Sequence, residues 1–222
     1  MNTITLIVLL QSIVNIPVPE GFKRIATDGF GQYLREIKLK KDNTVYLYNG
    51  SPKRNQTAQY AVLDISVGAK DLQQCADAAM RLRAEWLFKS RQYGKIVFNS
   101  VDGAPVRFGP PYNHVNLIKH MERVFSTCNS WSLDRDMKSK RIEEVQIGDV
   151  LIKGGFPGHV VMVVDVAVNR NGDKVFMIAQ SYMPAQDIHV LKGPLAAAWY
   201  PAREGEIRTP EWTFQSDQLK GW

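Results

Sequence analysis

The chain of 222 residues is long enough to bury a sizeable core, and its hydrophobic fraction of 45% and charged fraction of 23% are ordinary for folded proteins. This composition excludes a disordered or fibrous protein. The net charge of +6 is scattered along the chain, without helix-turn-helix or zinc-finger spacing, so we expect no nucleic-acid partner.

The N-terminal segment allows two interpretations. Its apolar stretch from Leu6 to Leu10 is too short and interrupted to form a transmembrane helix, and no basic side chain precedes it as in a typical signal peptide. Residues 1–16 are therefore expected to form either a signal region or a packed N-terminal arm. No polar linker divides the remainder, so we expect residues 17–222 to form a single domain.

The first half of the chain changes from extended to helical patterns. Residues 17–68 are expected to form loops and short strands, with strand candidates at 44–48, before an Asn-Gly turn, and at 59–67. The clearest helix is predicted to start at Asp71, with a capping-box-like Gln74 three residues later, and to end near Ser90. Its apolar stripe, which contains Leu72, Cys75, Ala79, Leu82 and Trp86, should face a core.

The second half is predicted to be mainly extended. A hairpin is expected at residues 95–108, followed by a helix from about Asn113 whose buried stripe contains Ile118, Met121, Phe125 and Cys128. Strands are then expected at residues 149–153, 159–168, 174–182 and 187–191, with a turn at Asn171-Gly172. Helices followed by a meandering sheet predict an α+β fold, with N-terminal helices packed on an antiparallel sheet.

A thiol and an imidazole are the candidate chemical groups. Cys75 lies in the first turns of its predicted helix, and His159 begins an apolar strand after a glycine-rich loop. A helix N-terminus and a neighbouring imidazolium both favour the thiolate, which is the form that attacks a carbonyl. The alternative is an inert core thiol and a strand-end histidine bonded to the backbone. Cys75 and Cys128 are too few for a disulfide framework, although one bridge remains open.

Two strand motifs carry a resemblance to a known class of enzymes. The segment GDVL at residues 148–151, followed by GHVVMVV at 158–164, resembles the corresponding strands of the papain-like NlpC-type endopeptidases and CHAP amidases of bacterial cell walls. The resemblance implies a papain-like fold with Cys75 as the nucleophile and His159 as its base. Cys75 lies in QQCAD, whereas the NlpC-type enzymes commonly have an Asp-Cys-Ser setting.

A second resemblance covers nearly all of the chain from Pro17 onward. It rests on five segments: DLQQCAD (71–77), RLRAE (81–85), PGH (157–159), AQSYMPAQ (179–186) and TPEWTF (209–214). These segments resemble an uncharacterised family of bacterial envelope proteins, a domain of unknown function. The resemblance implies an exported protein of the cell envelope or periplasm and favours the signal or anchor interpretation of residues 1–16.

NlpC-type enzymes use a third polar residue, on the strand after the histidine, to hold the ring in its useful tautomer. Gln180 is the candidate here, and Gln186 and Asp187 are the substitutes. A hairpin turning about residues 171–172 would set His159 opposite a position several residues past Gln180, so their pairing requires a bulge or a longer loop. The alternative for Gln180 is a strand amide that satisfies backbone groups.

Together these residues predict a cysteine hydrolase, either a peptidase or an amidase, that acts on amide bonds of peptide or cell-wall material. Cys75 would attack, His159 would relay the proton, Gln180 would orient the imidazole, and backbone amides at the helix start would hold the oxyanion. A non-catalytic envelope-binding or scaffold domain is the alternative, and a lipid acyltransferase is a third hypothesis. His189 lacks the paired-ligand spacing of a metal site, so we expect neither metal nor cofactor.

Overall fold

A computed structural model describes residues 11–196 and 198–222 of the chain. The helices in these ranges are α1 (Gly29–Arg35), α2 (Cys75–Lys89), α3 (His114–Thr127) and α4 (Ser130–Asp136). The strands are β1 (Phe22–Arg24), β2 (Gln59–Val62), β3 (Val97–Asn99), β4 (Pro105–Arg107), β5 (Lys138–Ser139), β6 (Val150–Lys153), β7 (His159–Asn169), β8 (Lys174–Gln180), β9 (His189–Leu191), β10 (Trp199–Pro201), β11 (Glu206–Arg208), β12 (Thr213–Gln215) and β13 (Leu219–Gly221).

The β7–β8 hairpin lies at the centre of a large antiparallel sheet. The sheet has the order β2-β9-β8-β7-β6-β13-β5, while β1 pairs with β7 and β10 pairs with β8. Strand β7 is buried along most of its length, because one apolar cluster covers each face of the sheet. Helix α2 belongs to the cluster on one face, and Phe176, Tyr200 and Phe214 belong to the cluster on the other. The predicted α+β fold, with helices on an antiparallel sheet, is confirmed at this level.

Helix α2 starts four residues later than predicted, at Cys75, and its end at Lys89 agrees with the prediction. Tertiary hydrogen bonds hold the preceding residues outside the helix. The Asp71 carboxylate accepts from the Ala185 backbone N–H (2.7 Å), and the Ser181 hydroxyl lies 2.9 Å from the Gln73 carbonyl oxygen. Gln74 is the N-cap residue, so Cys75 occupies the first helical position rather than the second turn.

The N-terminal part of the chain departs from the predicted loops and short strands. Helix α1 forms there, and residues 44–48 make only isolated bridges instead of the predicted strand. Their backbone binds the loop before β9 instead, because the Tyr46 N–H donates to the Asp187 carboxylate and the Tyr48 N–H donates to the Ala185 carbonyl. Residues 1–10 of the predicted signal or arm region lie outside the described part of the chain. Ile13 and Ile16 are fully buried.

The elements that were predicted after α2 are present and have the predicted type. The β3–β4 hairpin turns at Gly103, which has a positive φ of 87°, and α3 starts after Asn113, whose side chain caps it by accepting from the Asn116 N–H. The buried stripe of α3 is rotated from the predicted one and contains Leu117, Met121 and Val124. In the described part of the chain, every helix falls short of the length and apolar character that a membrane span requires.

Candidate functional site

A cavity of about 350 Å³ lies where the start of α2 meets the start of β7. Cys75 and His159, the two predicted reactive residues, both line it. Cys75 is the first residue of α2, and His159, the first residue of β7, has only 2% of its surface exposed. The backbone of Val160 hydrogen-bonds to the thiol in a way that favours the thiolate, so the sulfur lies beside the strand that carries the ring.

The thiol and the ring share this cavity without a direct hydrogen bond between them among the described residues. A second cysteine, Cys128, also lines the cavity, and both cysteines are free thiols rather than a disulfide. The sequence left one bridge open, and the structure shows none between these two residues. Asp77, Tyr182 and Trp212 complete the polar and aromatic part of the wall.

A bulge in the central hairpin brings Gln180 to the imidazole. Met162 pairs with Ala179, whereas nearer the turn Asp165 pairs with Met177, so one extra residue lies on β7 between these pairs. The bulge moves the far end of β8 along β7 by one position. The Gln180 Oε1 atom consequently lies 2.8 Å from the His159 Nε2 atom, across the two strands. The irregularity that this pairing requires is therefore present.

The partners of the Gln180 nitrogen determine how the amide is oriented. Its Nε2 atom donates to the Glu211 carboxylate at 2.8 Å, and it lies 3.4 Å from the Nε2 atom of His189. The other His189 nitrogen, Nδ1, faces the Asp187 carbonyl oxygen at 2.9 Å and must carry that ring's proton, because a carbonyl only accepts. Both neighbours of the Gln180 nitrogen are thus acceptors, and its oxygen must face His159.

This chain of hydrogen bonds assigns the tautomer of the candidate base. Because the Gln180 oxygen only accepts, the Nε2 atom of His159 carries the proton and the Nδ1 atom keeps its lone pair. The Nδ1 atom has no hydrogen-bond partner among the described residues. It is therefore the ring nitrogen able to accept a proton from a thiol. Glu211 is itself held by Lys53, with 2.5 Å between the Lys53 Nζ atom and the carboxylate.

Burial favours the uncharged forms of both candidate groups. Desolvation raises the pKa of the Cys75 thiol to about 11, although the backbone amides of Val160 and Ala76 act in the opposite direction. Desolvation also lowers the pKa of His159 to about 4, although the hydrogen bond that the ring donates to Gln180 acts in the opposite direction. The resting pair near neutral pH is thus a thiol and a neutral imidazole. This differs from the thiolate and imidazolium that the sequence suggested.

Aromatic side chains provide the apolar surroundings of the His159 ring. The Tyr182, Trp212 and Phe214 rings lie with their centroids 4.7, 5.2 and 5.8 Å from that of the imidazole. Trp212 and Phe214 come from the C-terminal segment that also supplies Glu211. The C-terminal part of the chain therefore both desolvates the ring and fixes its orientation.

The sequence profile of one family matches residues 13–110 and again residues 109–221. That family is described as Domain of unknown function (4846). The chain belongs to this family. No curated protein and no solved structure matched the chain. The two matches include every segment on which the sequence resemblance to an uncharacterised family rests, from DLQQCAD to TPEWTF.

In this member of the Domain of unknown function (4846) family, the substitutes for Gln180 have other partners. The Asp187 carboxylate accepts from the Lys40 ammonium at 2.8 Å and from the Tyr46 N–H at 3.0 Å. The backbone of Gln186 is tied to Ser181, and Gln180 is the one of the three whose side chain hydrogen-bonds to the ring. Glu211 was not predicted as a site residue, although it lies in the TPEWTF segment that the resemblance singled out.

Two buried histidines of this family member, His159 and His189, are arranged for hydrogen bonding. His159 and His189 both face the Gln180 amide, one at its oxygen and one at its nitrogen. Burial lowers the pKa of His189 to about 3, so its ring is neutral near pH 7. Within the described ranges, no three His, Cys, Asp or Glu side chains form a group that could hold a metal ion.

Proposed function

We propose that this protein is a papain-like cysteine hydrolase that cleaves amide bonds, with peptide material of the bacterial envelope as its substrate. The proposal assigns the attacking sulfur to Cys75, the general base to His159 and ring orientation to Gln180. The observation that carries it is the shared cavity. A thiol at a helix N-terminus lines the same space as an imidazole whose Nδ1 atom has no hydrogen-bond partner among the described residues, and a buried amide fixes the tautomer of that imidazole.

The neutral resting state points to a concerted first step. As the Cys75 sulfur attacks the carbonyl carbon of the substrate, its proton passes to the Nδ1 atom of His159, so neither group needs to ionise beforehand. The carbonyl electrons move to oxygen, and the backbone amides at the start of α2 would bind the oxyanion. The Nδ1 proton then passes to the leaving nitrogen, the C–N bond breaks, and a thioester and a free amine result.

The second half-reaction uses the same groups. Water gives a proton to the Nδ1 atom of His159 while its oxygen attacks the thioester carbon. The C–S bond breaks, and the proton returns to the Cys75 sulfur. The products are a carboxylic acid and the original thiol, so the atoms balance without a cofactor.

Acyl-enzyme formation tests this proposal without knowledge of the natural substrate. The native protein is mixed with a p-nitrophenyl ester of an N-acetylated amino acid, and the modified residue is identified by mass spectrometry. We expect a burst of p-nitrophenol with the acyl group on Cys75, followed by slower turnover. His159→Asn should reduce the acylation rate by about 10²-fold or more, because general-base assistance is lost.

Two matched variants serve as controls. Cys128→Ser removes the other thiol of the cavity, and His114→Asn removes an exposed imidazole that does not line the cavity; both variants should retain most of the burst. Acylation of Cys75 that is no faster than that of Cys128, or that is unchanged in His159→Asn, would contradict the hydrolase proposal.

The high thiol pKa favours one competing function, a non-catalytic envelope-binding domain in which Cys75 lines a ligand pocket. In that case Cys75→Ser should leave ligand affinity intact and change only the stability of the fold. An enzyme with the same substitution should instead lose its turnover while it retains its fold. Circular dichroism and the ester assay on one Cys75→Ser preparation therefore distinguish the two functions.

A further inference from the structure

Asp77 lines the same cavity, and one oxygen of its carboxyl group has no hydrogen-bond partner among the described residues. Asp77 is the third residue of α2 and is 6% exposed. Its Oδ2 atom accepts from the backbone N–H of Gln74 at 2.9 Å and so caps the helix. Its Oδ1 atom is buried and has no hydrogen-bond partner among the described residues. A buried carboxyl oxygen without a donor is costly, which indicates that a partner is missing.

The charge of the cavity wall differs from that of the whole protein. The chain carries a net charge of +6, yet the described lining residues include Asp71 and Asp77 and no lysine or arginine. Asp71 is exposed, and its Oδ1 atom accepts from the Ala185 N–H. Asp77 is the buried acidic residue of the lining, close enough to Cys75 that its negative charge raises the pKa of the thiol.

The rim of the cavity is apolar. Phe156 has 91% of its surface exposed and Met183 has 59%, and both lie on loops that line the cavity. Exposed apolar side chains beside a concave site commonly contact a ligand. An occupant of this cavity therefore meets an acidic group inside and an apolar surface at the entrance.

We propose that Asp77 is a specificity-determining residue that binds a cationic amine of the substrate, with an apolar group of that substrate at the Phe156 and Met183 rim. This inference rests on the proposed hydrolase function and names its substrate class, an amide that carries an ammonium group near the bond to be cleaved. The ammonium supplies the donor that the Oδ1 atom lacks. It also supplies the positive charge that stabilises a buried carboxylate.

The raised pKa of Asp77 agrees with a carboxyl group that lacks a neighbouring cation. Desolvation raises its pKa to about 8, so without a ligand the carboxyl is largely protonated near pH 7. The titratable residues that line the cavity with it are Asp71, Cys75, Cys128, His159 and Tyr182, and the backbone N–H of Gln74 donates to its carboxyl group. A bound ammonium group would favour the ionised carboxylate and lower this pKa.

Charged thiol reagents test the proposal directly. In a Cys128→Ser background, Cys75 is modified at about pH 9, where Asp77 is ionised, by cationic aminoethyl methanethiosulfonate and by its anionic sulfonatoethyl analogue. Each rate is divided by the rate measured with free cysteine. We expect the corrected rate for the cation to exceed that for the anion by about tenfold or more, despite the positive net charge of the protein.

The variants separate Asp77 from the rest of the surface. Asp77→Asn keeps an acceptor for the Gln74 N–H and should abolish the preference, whereas Glu143→Gln, the same charge change at an exposed residue, should retain it. If Asp77→Asn does not fold, the wild-type ratio is compared at about pH 6 and about pH 9, and it should rise with pH as Asp77 ionises. Equal corrected rates for the two reagents, or a preference that survives Asp77→Asn, would overturn the proposal.

Failure of the Asp77 amine site can be distinguished from failure of the hydrolase proposal. His159-dependent acylation of Cys75 without a preference for the cation would refute the amine site and leave the hydrolase in place. A cation preference that disappears in Asp77→Asn, without acylation, would support the amine site and refute the hydrolase.

Discussion

The state of the His159 ring depends on a single neutral side chain, Gln180. Its amide nitrogen faces two acceptors, Glu211 and the unprotonated nitrogen of His189, which leaves its oxygen for His159. An aspartate in its place would add a negative charge and favour the imidazolium. A glutamine orients the ring without charging it, in agreement with the lowered pKa of His159. The arrangement suits a base that starts neutral and takes its proton during the attack.

Replacing Glu211 should therefore change the tautomer of His159 indirectly, through the Gln180 side chain that contacts both residues. In Glu211→Gln the new amide can offer an N–H to Gln180, so the Gln180 side chain is free to rotate and present its own nitrogen to the ring. We expect a mixture of His159 tautomers by nitrogen NMR and a roughly ten- to hundredfold slower acylation of Cys75. Glu206→Gln, an exposed neighbour of Arg208, is the control. A single unchanged tautomer in Glu211→Gln would show that Glu211 does not set the orientation.

The buried ring of His189 should make the fold sensitive to acid. Its pKa is lowered from the ordinary 6.5 to about 3, so between these values the unfolded chain binds a proton that the folded chain does not. The free energy of unfolding should consequently fall as the pH decreases from about 6.5 towards 3. At about pH 5 the loss from this one group is on the order of 2 kcal/mol.

Urea unfolding at about pH 7 and about pH 5 measures this effect. His189→Asn cannot take up the proton, but its amide can still donate to the Asp187 carbonyl, so its stability should change less between the two conditions. His159 also lowers the stability at acid pH, because its pKa is lowered in the folded protein. Since His159 is present in both proteins, the difference between them reports on His189. Equal changes in wild type and His189→Asn would refute the assigned role of the His189 ring.

At the scale of elements, local patterns were enough to predict the main strands, the antiparallel sheet and the types of α2 and α3. The β7–β8 hairpin is the clearest case, because its two apolar runs flank an Asn-Gly turn. The start of α2 could not be predicted, since Asp71 and Gln73 are held outside the helix by partners more than a hundred residues away. The bulge in β7 and the approach of Glu211 likewise depend on tertiary packing. The sequence therefore identified Cys75, His159 and Gln180 as candidates, without their pKa values or the groups that orient them.

The loop between β6 and β7 must be tightly packed to place His159 at the start of its strand. A Cβ atom added at Gly158 would lie 2.5 Å from the Ser130 hydroxyl oxygen and 2.8 Å from the Lys153 carbonyl oxygen. Gly158→Ala should therefore displace the loop, lower the free energy of unfolding by about 1–3 kcal/mol and slow the acylation of Cys75. Gly94→Ala, where an added Cβ meets nothing within 4 Å, is the matched control. Equal stability of the two variants would contradict this account.

At the scale of the whole molecule, the site is assembled from distant parts of the chain around one sheet. The thiol comes from a helix on one face, the imidazole and the amide come from the central hairpin, and Glu211 comes from the C-terminal segment. Such a site keeps its geometry only while the layers remain packed on the sheet. Asp165, which is completely buried in β7, is the main ionic link between the sheet and the N-terminal elements.

The link consists of two arginines on one carboxylate. The Arg24 and Arg35 Nε atoms, from β1 and α1, lie 2.6 and 2.7 Å from the two Asp165 oxygens. Asp165→Asn would leave two largely buried guanidinium groups without their counter-charge, so we expect the free energy of unfolding in urea to fall by about 3–5 kcal/mol. Asp217→Asn, at an exposed position, should change the free energy of unfolding by less than about 0.5 kcal/mol.

Because Asp165 lies outside the cavity, Asp165→Asn protein that remains folded should still acylate Cys75 at close to the wild-type rate. A loss below about 1 kcal/mol would show that the N-terminal elements are held to the sheet mainly by apolar packing.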